Sequence, residues 1–205
     1  MEEKPEKQTD KYRLPRPGDQ LIRQAEYWTP GVDFPQDSLT RESCMWEGYF
    51  DAGEVLINTY QEDPYQNVFL IYPIFFNYRH AFEIAMKMII NKYGNETSRE
   101  KSKKSNHDLQ KIWEAYKGIA IEFGAVLPDD EQISAVEDVI NELHKVDPTG
   151  MAFRYPETKK GSLFPLPSEA IDFENVKVVM SSINTIFVHV DSHIGELFSS
   201  RGQEY

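Results

Sequence analysis

Residues 173–198 read FENVKVVMSSINTIFVHVDSHIGELF, and their spacing decides the fold. Phe173, Val176, Val179, Met180, Ile183, Ile186, Phe187, Val190, Ile194, Leu197 and Phe198 fall within a stripe roughly 100 to 120° wide at 3.6 residues per turn. That is the pattern of a long amphipathic helix. Working back along the chain, Asp129, Asp130 and Glu131 open a further helix where its dipole favours acids. Ile133, Val136, Ile140 and Leu143 form its apolar face, and Asp147, Pro148 and Gly150 stop it. Before it, HDLQKIWEAYKGIAIEF (107–123) places Leu109, Ile112, Trp113 and Tyr116 on one stripe, with Asn106 or Asp108 available as the cap. A longer segment from about Tyr65 to Tyr93 ends at Gly94, and Pro73 either kinks it or marks its true start. From Arg41 to Gln61, Met45, Trp46, Tyr49, Phe50, Leu56, Ile57 and Tyr60 recur at three- and four-residue steps.

The stretches between these helices carry different signals. NETSREKSKKSN (95–106) has no apolar residue and is expected to be a solvated, basic loop. MAFRYP, TKKGS and LFPL, between Met151 and Leu166, read as two short extended pieces around a turn, held to an edge or flap by their prolines. Residues 1–40 contain Pro5, Pro15, Pro17, Pro30 and Pro35, so an extended N-terminal arm is expected, pinned by Tyr27, Trp28 and Phe34. The expected fold is therefore all-α: an antiparallel four- to five-helix bundle over residues 41–205 with a small β-hairpin or flap.

Composition narrows the function classes. A formal charge of -12 over 205 residues disfavours sequence-independent binding to nucleic acid or anionic lipid. The single cysteine, Cys44, excludes an intrachain disulfide and reads as a helical packing residue in a reducing compartment. The start, MEEKPEKQTDK, has no apolar stretch behind it, and the longest apolar run, Val68–Phe76, is too short to cross a bilayer. A cytoplasmic protein without a membrane partner is expected. No phosphate loop, zinc finger or nucleophile elbow occurs, and no cofactor is implied.

Chemistry concentrates in YRHAFEIAMK (78–87). Arg79, His80, Glu83 and Lys87 share one helix quadrant about 100° wide, opposite Phe75, Tyr78, Phe82 and Met88. They form either an exposed ladder of i,i+4 pairs or a partly buried polar groove, in which Glu83 fixes the Arg79 guanidinium and His80 or Arg79 faces a phosphate or another chain. Asn106, His107 and Asp108 form a second candidate, either as a plain cap or as an anion-binding corner beside Lys101, Lys103 and Lys104. Arg154 and Tyr155 sit on the expected flap, where they could close over a ligand or form an ordinary surface pair. His189 and His193 have a metal-compatible spacing but lack a His-Glu-x-x-His pattern, so no metal site is assigned. Asn95-Glu96-Thr97 matches a glycosylation sequon, inert in the cytosol.

Taken together, YRHAFEIAMKMII, the polar stretch after it, NHDLQKIWEAY, FRYP and the last amphipathic helix resemble the HEPN superfamily over roughly Val68–Phe198. The resemblance implies an all-helical homodimer. It also implies either a metal-independent ribonuclease of toxin, CRISPR or antiphage systems, or a noncatalytic nucleotide- or partner-binding module. The nuclease signature of that superfamily, Arg followed after four to six residues by His, is absent; Arg99 and His107 come nearest, one residue too far apart. The expectation is then that Arg79, His80 and His107 carry any RNA cleavage, with binding by Glu83, Lys87, Asn106, Asp108, Arg154 and Tyr155. The alternative is nucleotide sensing or protein docking without catalysis.

Overall fold

The computed structural model describes residues 14–27 and 31–201, and the chain divides into two units between Phe34 and Pro35. In the first unit the described residues form no helix or strand. Arg16–Asp19 make a turn there, in which the Asp19 carboxylate accepts from the Arg16 amide at 2.8 Å. Tyr27 and Phe34 are exposed, and Trp28 lies outside the described residues.

Among the described residues the second unit holds six α-helices: α1 (Ser38–Glu62), α2 (Ile71–Tyr93), α3 (Glu96–Lys104), α4 (Leu109–Glu122), α5 (Glu131–Val146) and α6 (Phe173–Arg201). Local sequence accounts for where they begin. Asp37, Asn95, Asp108 and Asp130 each accept from a first-turn amide of α1, α3, α4 and α5, and Asp172 does so for α6 through the amide of Asn175. Each such cap contributes about 1 kcal/mol. Pro73 is the third residue of α2, where the missing N–H is one the first turn leaves unpaired anyway, so it marks a start and not a kink.

Three expectations are corrected. The stretch after Gly94 is a helix, α3, although it has no apolar residue. Capping by Asn95, Glu96 in the first turn, Lys101, Lys103 and Lys104 in the last, and the Glu100–Lys104 pair at 3.3 Å replace the missing apolar face. The hairpin is reduced to one bridge, Glu157 with Leu163, around a turn in which Gly161 has φ +76°. Pro156, Pro165 and Pro167 remove the amides a longer ladder would need. Cys44 is exposed, so its expected packing role is also corrected.

α1 runs antiparallel to α2: Glu42 meets Asn91 near one end, and Phe50 and Gly53 meet Tyr78 further along. A Cβ at Gly53 would lie 3.0 Å from the Tyr78 ring, tighter than an ordinary contact, so glycine favours this close approach. α6 lies antiparallel to α1, joined by Trp46 Nε1 to Asn184 at 2.8 Å, the Ser181 hydroxyl to Glu54 at 2.6 Å and Lys177 to Asn58 at 2.8 Å. It runs parallel to α2 through the ring pairs Phe75–Phe173, Phe82–Phe187 and Tyr93–Phe198. α5 is antiparallel to α4, with Gln110 on Asn141 and Trp113 Nε1 on Glu137.

The core where these helices meet is led by Tyr78, Phe82, Trp113, Tyr116 and Phe187, all fully buried. A phenylalanine buried in this way contributes about 1.5–3 kcal/mol. Of the α6 stripe, Met180, Ile183, Phe187, Val190 and Ile194 are buried, whereas Phe198 stays exposed against Tyr93 and Phe123. Among the described residues no helix is long and apolar enough to cross a membrane.

Candidate functional site

The polar strip of α2 is turned inward. Arg79 and Glu83 are 2% and 3% exposed, deep enough that each charge needs a partner. Arg79 finds one for every nitrogen. Its Nη1 donates to Glu83 Oε2 at 3.1 Å and its Nη2 to the His107 carbonyl at 2.7 Å, while Nε lies 3.3 Å from both the carbonyl and Oδ2 of Asp147. Asp147, 1% exposed, is held in turn by the amides of Met151 and Ala152 on Oδ1. One guanidinium thus ties α2 to the α3–α4 junction and to the loop after α5.

The other oxygen of Glu83 serves the surface side. Oε1 accepts from Lys87 Nζ at 2.7 Å and sits 2.8 Å from His107 Nδ1. Burial by itself would raise the Glu83 carboxyl, but the hydrogen bond and charge of Lys87, with His107, outweigh it and hold the group below its ordinary range. Lys87 also donates to the Asn106 carbonyl at 2.5 Å. Asn106 has φ +52°, a left-handed turn that swings His107 back toward α2.

The side chain of His107 is 51% exposed, so the cluster is open on this side. In a neutral imidazole, a carboxylate on Nδ1 favours the tautomer with its proton there, which leaves the lone pair on Nε2. Gly150 closes the far wall with φ +73°; a Cβ there would lie 3.0 Å from Arg79 Nη1 and 3.4 Å from the His107 Cβ.

No protein-family model, curated protein or solved structure matches the chain. Its chemistry therefore rests on these side chains alone.

The remaining sequence candidates fall around the cluster. His80 is half-buried and faces α1, stacked on Phe76 at 5.4 Å and edge-on to Tyr49 at 4.6 Å, outside the Arg79 hydrogen bonds. Burial lowers its pKa, Glu83 opposes this, and Arg154, Arg79 and His107 add to the lowering. Arg154 folds back so that Nε donates to the Gly150 carbonyl at 2.8 Å, with the guanidinium 5.7 Å from the Phe76 ring and 5.8 Å from that of Tyr155. Asp108 is the α4 cap and pairs with Lys111 at 2.8 Å. Burial would raise its carboxyl, but the Lys111 side chain and amide and the His144 charge lower it.

His189 and His193 have ring centroids 6.1 Å apart, and among the described residues no three His, Cys, Asp or Glu converge as a metal site. Sequence reasoning missed Asp147 and Gly150 as members of the cluster. Both were legible only as helix stops, because Asp147 lies 68 positions from the arginine it binds.

Proposed function

We propose that the chain is a HEPN-like protein that targets RNA as a metal-independent ribonuclease, with His107 as general base. The observation that carries this is the 2.8 Å contact of His107 Nδ1 with Glu83 Oε1 on a half-exposed imidazole. A carboxylate-oriented neutral imidazole is suited to take a 2′-hydroxyl proton as that oxygen attacks the adjacent phosphorus, and such a base contributes about 10²–10⁴-fold. The products are a cyclic phosphate and a free 5′-oxygen, which needs a proton in return.

The departing 5′-oxygen takes its proton from water or from the His107 imidazolium formed in the attack; His80, kept neutral by burial, is limited to hydrogen bonding, and Arg154, exposed beside Phe76, is the cation assigned to the phosphate charge. Arg79 acts through others: with every nitrogen engaged by protein, it positions His107 and Glu83 rather than touching substrate. The resemblance further implies a homodimer in a toxin or antiphage setting, and the single cysteine suits the cytoplasm.

The test is cleavage of end-labelled mixed-sequence RNA in the presence of EDTA. Cleavage that falls at least about 100-fold in His107→Ala is expected. An inactive wild type, or a His107→Ala variant that cleaves normally, overturns the proposal. A noncatalytic nucleotide-sensing or docking module is favoured instead by one specific observation, the charge of -12, which repels a long polyanion. That alternative predicts nucleotide or partner binding with no cleavage.

A further inference from the structure

A cavity of about 400 Å³ lies away from His107, between the start of α2, α5, the segment before α6 and α6 itself. The volume is within the range of small-molecule sites, roughly 300–1,000 Å³. Its floor is aliphatic, with Val139 and Leu143 from α5 facing Val179 and Met180 from α6. Phe75 and Phe153, stacked at 5.3 Å, form an aromatic wall.

Among the described residues, the charged groups around it share one sign. Glu142, Glu169 and Asp172 line the cavity, and no Lys, Arg or His is among the described residues that do. Asp172 uses Oδ1 on the Asn175 amide as the α6 cap, whereas among the described residues no hydrogen bond or ion pair engages the carboxylates of Glu142 and Glu169. An apolar chamber whose charged edge groups, among the described residues, are all carboxylates disfavours a fatty acid, whose head would face three like charges. It suits a ligand that buries hydrocarbon and carries a positive head.

We propose that this cavity binds a cationic amphiphile, its hydrocarbon between α5 and α6 and a protonated amine at Glu142, Glu169 and Asp172. The aromatic wall assists, since cations are attracted to ring faces. Nothing in this site depends on His107 or on RNA cleavage.

The probes are n-decylammonium, n-decanoate and n-decanol, titrated below their aggregation thresholds into the full chain labelled with ¹³C at the methionine methyls. Met180, 4% exposed and lining the cavity, is the reporter. The ammonium is expected to shift the Met180 methyl saturably, with a Kd on the order of tenfold below that of the carboxylate at low salt. In the double variant Glu142→Gln and Glu169→Gln that preference shrinks to less than about threefold while decanol binding is unchanged. Val179→Trp fills the chamber and abolishes the shift; if that variant does not fold, Val139→Phe fills it from the opposite wall.

Absence of a saturable Met180 shift overturns the proposal. So does decanoate binding as tightly as the ammonium, a preference that survives the double variant, or normal binding by a folded filled variant.

Discussion

Arg79→Met removes the guanidinium that joins three segments and keeps a side chain of similar length. The structure sets the size of the effect. Asp147 is 1% exposed and Oδ2 loses its Nε partner at 3.3 Å, while Oδ1 keeps the amides of Met151 and Ala152. Glu83 loses the bond on Oε2 but retains Lys87 and His107 on Oε1. The variant therefore leaves one buried carboxylate half-satisfied and another short of a cation.

Breaking such a buried pair costs about 3–5 kcal/mol, which for a helical unit of this size lowers Tm by roughly 6–20 °C. Urea unfolding followed by helical circular dichroism reads the change as a shifted midpoint at constant slope. Arg79→Lys recovers little, because an ammonium cannot reach Glu83, Asp147 and the His107 carbonyl as a planar fork. With Asp147→Asn as the second leg of a double-mutant cycle, the coupling is about 0.5–3 kcal/mol. A loss in Arg79→Met below about 1 kcal/mol, the range of exposed pairs, refutes the claim that this cluster organises the loops.

Acid sensitivity tests His80. Because burial lowers its pKa, the unfolded chain takes the proton more readily, so the stability it confers is complete above about 6.5 and is lost as pH falls from there through the lowered folded value. Glu83, also lowered, adds a second loss as pH falls below about 4.5. Tm measured from pH 8 to pH 2 is expected to decline in two phases, and His80→Phe to erase the upper one; an unchanged upper phase in that variant disproves the assignment. Gly150→Ala forces a Cβ to 3.0 Å from Arg79 Nη1 at φ +73°, and is expected to cost about 1–3 kcal/mol by the same unfolding assay. A variant as stable as wild type would show that the loop tolerates the strain.

Periodicity exposed those elements whose stability comes from an apolar face. α6 was readable because Met180, Ile183, Phe187, Val190 and Ile194 repeat at helical spacing and all reach the core. α3 escaped the same reading because its stability is electrostatic and local, although Asn95, Glu96 and the closing lysines spell out a capped helix when end effects are weighed. The site was half legible. Arg79, Glu83 and Lys87 share a helix face at four-residue steps, and His107 was suspected from its place at a helix start. Asp147 could not be found that way, because its partnership with Arg79 exists only once the loop after α5 has come back to α2. The hairpin failed for a reason visible in advance: its prolines left too few amides to build more than a bridge.

The clamp made by Arg79 spans 68 residues to Asp147 and 28 to His107. Ties of that length close late, after local helices have nucleated and loop entropy has been spent. Interactions absent from the folding barrier show in how fast a protein comes apart rather than in how fast it assembles. The buried guanidinium is thus expected to act on lifetime: Arg79→Met raises the unfolding rate more than it lowers the folding rate.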